Sequence, residues 1–185
     1  TSLNNGPVST FATFDHCVAH DNGNPAGAAT NGHGWYLGTA DNLLIAPVAY
    51  HNQGNGIQVN AGDGTSTTCA RNILQAPLCY NNGARPATSA FNLTVANGTG
   101  IQILNPIVYS DGRPNLVGVN LYTDTVGVQL LNGTIVGHGN DGIALQYVAA
   151  RLLMTPYQPD TGDNNINALF KIGTIRDGFS VNRYL

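Results

Sequence analysis

Short runs of alternating apolar and polar residues recur along this chain, and every repeat closes on a similar phrase. VAHDNG, AYHNQG, CYNNG, YSDG and IVGHG place a glycine at Gly23, Gly54, Gly83, Gly112 and Gly139. The steps between them are 31, 29, 29 and 27 residues. KIGTIRDGFSV repeats the phrase once more, with Gly178 a further 39 residues on. The excess falls in TPYQPDTGDNN, so residues 149–167 read as an inserted loop. Each repeat holds three runs. The first is GWYL, GIQV, AFNL, GVNL, GIAL or FSV, and the second is NLLI, NILQ, IQIL, VQLL or LFKI. A tight pair (AP, AP, NP, NG or IG) leads to the third, which is VAY, LCY, IVY, TIV or TIR. Each run alternates with the period of two that marks a strand, and no segment keeps a helical period long enough for a crossover helix.

Three strands in each repeat is the arithmetic of a parallel solenoid, where a repeat buries its apolar face only by stacking on its neighbours. The pattern predicts an all-β fold of about six coils, three short strands each, in a single domain over residues 1–185. At about 4.8 Å per coil the column would be roughly 29 Å long. No capping helix is evident: the chain opens with TSLNNGPVST and ends in FSVNRYL. An open solenoid end exposes strand edges and core. The sequence therefore reads as a fragment of a longer solenoid, or as a subunit whose ends other chains cover.

Aligning the third runs assigns faces. Val18, Ala49, Cys79, Val108, Ile135 and Ile175 form an apolar column that should point inward. Ala19, Tyr50, Tyr80, Tyr109, Val136 and Arg176 follow and should point outward, with Tyr50, Tyr80 and Tyr109 as an aromatic strip flanked by Val48, Leu78 and Ile107. That strip reads as edge stacking that stabilises the coil, as a surface covered by a loop, or as a contact surface for sugar rings or another subunit. The turn beyond it brings His20 near His51, with Asn52, Asn81 and Asn82 close by, and reads as an amide ladder that satisfies backbone groups. Two histidines without Cys or Glu do not make a metal site, and none is assigned. The glycine of each phrase is expected to make the bend.

Composition sharpens this picture. Charged residues are 9% of the chain, all ten acidic residues are Asp, and Lys171 is the only lysine, so two strong helix formers are almost unused. A net charge of −3 offers no basic stripe and excludes nucleic acid as a partner. No apolar run reaches the length of a membrane span. The chain starts at Thr without a signal peptide, as a mature or trimmed product would. Cys17, Cys69 and Cys79 leave at least one thiol unpaired; a Cys69–Cys79 bridge is open to an oxidising compartment, although Cys79 falls in the inward column. Sequons at Asn92, Asn97 and Asn132 are glycosylation sites only in a eukaryotic secreted protein.

DNLLIAPVAYHNQGNGIQV and VQLLNGTIVGHGNDGIAL resemble the right-handed parallel β-helix repeats of the pectin-lyase-like superfamily, and the resemblance covers about residues 8 to 183. It implies a right-handed β-helix and a secreted or cell-surface protein that handles polysaccharide, with or without catalysis. In the resembled enzymes the polymer lies along the Gly-Ile-x-aliphatic strands. Alternation then offers two outward columns: Tyr36, Gln58, Asn92, Asn120, Ala144, Ser180, and Gly38, Asn60, Thr94, Tyr122, Gln146, Asn182. Tyr36, Gln58, Asn60, Asn92, Asn120, Tyr122 and Gln146 are the candidate substrate-binding residues.

This face carries no carboxylate. Glycoside hydrolysis normally uses two carboxyl groups a few ångströms apart. A lyase or epimerase of acidic sugars needs a base, and a cation to neutralise the sugar carboxylate. No cofactor is called for except a Ca²⁺ ion if the sugar is acidic. The candidate catalytic groups are His33, Arg85, Arg113 and Asp63 on loops, with Asp160 and Asp163 on the insertion. NGHGWYLG and VGHGNDGIAL are similar to the Gly-His-Gly element of polygalacturonases, but the paired Asp-Asp and the Arg-Ile-Lys elements are missing, and Gly-x-Gly before a strand is ordinary turn chemistry. Trp35 falls at an inward position. Two functions remain open: a β-helix that binds or processes polysaccharide, as a lyase, epimerase or hydrolase if active, and a structural or adhesive module that self-associates end to end or laterally.

Overall fold

The computed structural model describes residues 11–23, 32–61, 69–83, 90–111, 116–122, 125–138, 142–146, 169–175 and 179–182. The insertion at 149–167 lies outside them. The chain first makes β1 (Thr13–Asp15), β2 (Val18–His20) and β3 (Trp35–Leu37). The cycle returns as β4 (Leu43–Ile45), β5 (Val48–Tyr50) and β6 (Ile57–Asn60), then as β7 (Ile73–Gln75), β8 (Leu78–Tyr80) and β9 (Ala90–Ala96). It comes again as β10 (Gln102–Leu104), β11 (Ile107–Tyr109) and β12 (Leu116–Tyr122). Next, β13 (Gln129–Val136) runs through both of the first two positions of the cycle before β14 (Ile143–Gln146). Then β15 (Leu169–Ile175) pairs along β13, and β16 (Phe179–Asn182) follows. All pairings between these strands are parallel, and the described residues contain no helix.

Two sheets result. One is six strands deep, in the order β16-β14-β12-β9-β6-β3. The other has ten strands, in the order β1-β4-β7-β10-β13-β11-β8-β5-β2 with β15 on β13, and bends where β13 passes from one stack to the next. The fold is the expected all-β parallel solenoid. Its core is a set of columns, each contributing one residue per rung. Leu44, Leu74, Ile103 and Leu130 form one column, and Ala19, Ala49, Cys79, Val108 and Ile135 a second. Trp35, Ile57, Leu93, Val119 and Ile143 form a third on the six-stranded sheet. Trp35 is in the core, as its position predicts, edge-on to Phe14. Burying a large aliphatic side chain contributes about 1.5–3 kcal/mol.

The register differs from the sequence alignment in the first repeat. His20, not Ala19, pairs with Tyr50, while Ala19 pairs with Ala49 and Val18 with Val48. Val18 is therefore exposed, and His20 joins the aromatic strip rather than the turn beside His51.

Of the repeated-phrase glycines among the described residues, Gly23 (φ 138°) and Gly83 (φ 77°) have positive φ and Gly54 does not. The chain turns at single residues with left-handed backbone, and these too form columns. Asp41 (φ 61°), Arg71 (φ 53°), Gly100 (φ 64°) and Gly127 (φ 66°) make one. His16, Ala46, Ala76, Asn105 and Asn132 make the second, at φ 47–55°. Asp21, His51 and Asn81 make the third, at φ 50–52°. Asn and Asp tolerate this conformation; Ala46 and Ala76 adopt it at a cost, because the Cβ crowds the carbonyl.

Behind the third bend runs a buried amide ladder. Asn22 donates through its backbone N–H and its Nδ2 to Asn52 Oδ1 (3.1 and 2.8 Å). Asn52 donates in the same two ways to Asn82 Oδ1 (3.2 and 2.8 Å), and Asn82 to Asn92 Oδ1 (3.1 and 2.9 Å). Asn52 Nδ2 and Asn82 Nδ2 also reach the Ala19 and Ala49 carbonyls. Asn92 Nδ2 then donates to the Tyr109 carbonyl (3.1 Å) and to His138 Nε2 (3.0 Å). The expected ladder exists, and it explains the glycine of Gly-Ile-x-aliphatic. A Cβ on Gly34 would lie 2.7 Å from Asn52 Nδ2, and one on Gly56 2.5 Å from Asn82 Nδ2. A second ladder, unforeseen in the sequence, joins Asn42 to Asn72 Oδ1 (2.8 and 2.9 Å) behind the first bend, before Ile101 and Val128 take over that column.

Removing the Asn82 side chain strands the Asn52 N–H and amide in a sealed site. At about 1–3 kcal/mol for each orphaned group, Asn82→Ala is expected to lower unfolding stability by about 3–5 kcal/mol, read from urea denaturation. Ala76→Gly should do the reverse. Relieving left-handed backbone is worth about 1–2 kcal/mol, against about 0.5–1 kcal/mol of glycine entropy. A higher urea midpoint with unchanged slope is the expected result.

Candidate functional site

The six-stranded sheet turns Ile57, Val59, Leu93, Val95, Val119 and Leu121 inward, and the alternate residues form its outward face. Strand pairing fixes that face as Tyr36, Gln58, Thr94, Asn120, Ala144 and Ser180 in one column. Asn60, Ala96, Tyr122, Gln146 and Asn182 form the next. Tyr36, Gln58, Asn60, Asn120, Tyr122 and Gln146 thus hold the positions expected of them. Asn92 does not, and this is a correction. It lies two residues earlier, in the column of Gly34, Gly56, Gly118 and Gly142, and its side chain is the sealed rung of the amide ladder. Thr94 takes the place given to Asn92. The two-residue slip keeps every side chain on its own face, so apolar alternation could not reveal it.

Tyr122 is 38% exposed and places an aromatic ring on this surface. Gln58 and Asn60 are half-buried, and both are anchored: Asn55 Nδ2 donates to Gln58 Oε1 (2.8 Å), and Asn97 Nδ2 to Asn60 Oδ1 (3.1 Å). From the rung of Tyr36 to that of Tyr122 is three strand spacings, about 14 Å. On the third and fourth of these rungs lie Thr94 and Asn120, only 4% and 1% exposed. Thr94 Oγ1 and Asn120 Oδ1 are sealed from solvent and make no hydrogen bond, and Asn97 Oδ1 beside Asn60 is in the same condition. An unsatisfied buried polar atom costs about 1–3 kcal/mol.

His33 sits beside this face with its ring 5.9 Å from that of Tyr36. Its Nδ1 accepts a hydrogen bond from the Asn55 N–H (2.9 Å), so that nitrogen is occupied in holding the turn into β6. Asp63, Arg85, Arg113, Asp160 and Asp163 lie outside the described residues. No group of three His, Cys, Asp or Glu side chains among the described residues could hold a metal ion, and no helix there is long and apolar enough to cross a membrane. Of the sequons, Asn92 is sealed in the ladder, Asn97 Nδ2 is committed to Asn60, and Asn132 stands exposed on a bend.

On the other sheet the tyrosine strip forms as expected and is one ring longer. His20, Tyr50, Tyr80 and Tyr109 stack with centroids 4.8, 4.9 and 4.8 Å apart and planes within 4° of parallel. Their faces turn toward one another, so the strip shows solvent mainly ring edges and phenol hydroxyls. A sugar packs on a ring face, which favours the stacking role of this strip over the sugar-contact role. All three cysteines are free, so the Cys69–Cys79 bridge does not form. Burial pushes Cys69 up to about 12, and Cys79 higher still.

Comparison with protein-family profiles, with curated proteins and with solved structures returned no match.

Desolvation raises the Tyr80 phenol above its ordinary value near 10, with help from Tyr109, Tyr50 and Asp21. A raised folded-state pKa means that the neutral phenol's contribution is intact below about pH 10. It is lost as pH climbs from there through the folded value. Stability followed by urea denaturation between about pH 9 and pH 11 should fall for the natural chain and fall less for Tyr80→Phe, which keeps the ring stack.

Proposed function

We propose that this chain is an extracellular β-solenoid that binds a neutral polysaccharide along the outward face of its six-stranded sheet. The observation that supports this most is the face itself. Gln58 and Asn60 supply half-buried amides, Tyr122 supplies an exposed ring, and none of its described residues is charged. Neutral hydroxyls are bound by such groups, with an aromatic ring packing against the sugar's apolar side. The resemblance of the repeats to the right-handed β-helices of the pectin-lyase-like superfamily supports the same reading, and with it a secreted or cell-surface location. Binding is the activity assigned. Cleavage would draw its acid and base from outside this face, with Asp63, Arg85 and Arg113 as the candidates, and a Ca²⁺ ion only for an acidic polymer.

A second reading rests on a different surface. Val18, Val48, Leu78 and Ile107 form an aliphatic column beside the ring stack on the same strands, with Val18 55% and Ile107 50% exposed. A flat apolar strip of this kind suits lateral association in a fibre or adhesin.

The two readings separate in one experiment. The protein is incubated with neutral and acidic polysaccharides, retained ligand is measured by co-sedimentation, products by mass spectrometry, and self-association by sedimentation velocity. Retention of a neutral polymer without new oligosaccharides is expected, weakened about tenfold by Tyr122→Ala. No retention across the panel, with concentration-dependent assembly abolished by Leu78→Asp, would establish the second reading in its place.

A further inference from the structure

Two phrases in the sequence lie outside the proposed surface: Gly32-His33-Gly34 and Gly137-His138-Gly139. Each leads into a strand of the six-stranded sheet, the first into β3 and the second into β14. In both, a ring nitrogen receives a hydrogen bond from a donor that cannot be reversed. His33 Nδ1 accepts from the Asn55 backbone N–H (2.9 Å), and a backbone N–H only donates. At His138 the donor is Asn92 Nδ2, 3.0 Å from Nε2. A side-chain amide is free to turn over unless its neighbours fix it, and here main chain fixes it from two sides. Asn92 Oδ1 accepts from the Asn82 N–H (3.1 Å), and Asn92 Nδ2 donates to the Tyr109 carbonyl (3.1 Å). Turning the amide over would set donor against donor at Asn82 and oxygen against oxygen at Tyr109. His138 Nε2 therefore has to accept. The other described histidines differ. His16 and His20 turn Nδ1 to the carboxylates of Asp15 and Asp21, where a charged ring keeps its partner, and His51 is exposed.

We infer that His33 and His138 are acid-sensitive latches: each holds the six-stranded sheet only as a neutral imidazole, and each lets go when it is protonated. A neutral ring that accepts at one nitrogen carries its proton on the other. The two rings are thus opposite tautomers, Nε2–H at His33 and Nδ1–H at His138. A proton taken from solvent onto the accepting nitrogen turns it into a donor that faces a donor. The Asn55 N–H then loses its partner at the turn into β6. At His138, 7% exposed, Asn92 loses a bond at the end of the ladder that reaches back to Asn22. Among the described residues, the elements around His33 bring the Tyr36 ring to 5.9 Å, and the exposed Asp21 precedes the Asn22–Gly23 segment beside Gly32. Around His138 they bring Gly118, where a Cβ would lie 2.9 Å from His138 Cε1, and Ser110 beside Gly137, followed by the exposed Asp111. Asp141, Arg176 and Asp177 lie outside the described residues. The fold holds the neutral rings, so their contribution is whole near about pH 8 and declines as pH falls toward about 5. Neither latch depends on what the outward face binds.

The test begins with the natural full chain. Imidazole nitrogen NMR at about pH 8 should show His33 protonated at Nε2 and His138 at Nδ1. Urea denaturation at about pH 8 and about pH 5 then compares the natural chain with His33→Asn and His138→Gln, singly and together. These changes put an uncharged acceptor near the place of Nδ1 and of Nε2 respectively. On acidification the unfolding constant of the natural chain should rise about tenfold more than that of the double variant. His16, His20 and His51 are common to both chains, so their contribution cancels. Asp21→Asn and Asp111→Asn should leave the rise in place. Equal rises in the natural chain and the double variant would overturn the inference, as would a rise that disappears with either aspartate. If the variants fail to fold, the natural chain decides alone: a proton on His33 Nδ1 or on His138 Nε2 in the folded protein at about pH 8 overturns the latch.

Discussion

Everything in this fold follows from stacking one coil on the next at the spacing of paired strands. A residue then has the equivalent residue of the next repeat within a few ångströms above and below it. A side chain is therefore stable only if its own kind, or a complement, occupies the same place one turn away. Aliphatic residues meet that condition by burial. Amides meet it by passing a hydrogen bond along the axis, Nδ2 to Oδ1, from Asn22 to Asn52 to Asn82 to Asn92. Aromatic rings meet it by stacking, as in His20, Tyr50, Tyr80 and Tyr109. The amide ladder matters most, since it satisfies backbone N–H groups at a bend that the strands cannot reach. It also forbids a side chain opposite it, which is why glycine recurs before the strands of the six-stranded sheet.

The same constraint explains what the sequence revealed and what it hid. The inward columns and the tyrosine strip were legible because like residues recur at about thirty-residue steps. The error at His20 arose because VAH and VAY match only when histidine is accepted as a stacking equivalent of tyrosine. The error at Asn92 had a different cause. In AFNLTV, Leu93 and Val95 are the inward pair, but Phe91 and Leu93 satisfy the same alternation, so the apolar pattern is blind to a shift of two. Only the ladder resolves it. Asp111 holds the position where the next rung should lie, and Asn92, reaching in from the glycine column, supplies the missing amide instead. A glycine column interrupted by asparagine, just before the repeat in which the ladder loses its own, was the signal available in the sequence.

The bends at Ala46 and Ala76 were not legible at all. Alanine carries no mark of left-handed backbone, and the proline after each pointed only to a turn. Nor could sequence distinguish Thr94 and Asn120 from the satisfied amides. Whether a buried oxygen finds a donor depends on the neighbouring rung and on the packing above it. Glycine and asparagine could be assigned roles from spacing, but partnership could not.

Buried polar groups in this fold are of two kinds. A solenoid can bond a buried amide along its axis, and this one does so repeatedly behind its bends. Thr94 Oγ1, Asn97 Oδ1 and Asn120 Oδ1, on the six-stranded sheet and its edge, and Ser110 Oγ, just after β11 of the other sheet, are buried without a partner. Apolar residues at positions 94 and 120 would be more stable by the reasoning that fills the core, and Ala144 on the next rung shows that the column accepts one. The ring stack on the other sheet shows the opposite economy, with faces spent on one another. The two sheets thus treat their outward residues differently, one stacking rings along the axis and the other carrying uncharged polar groups.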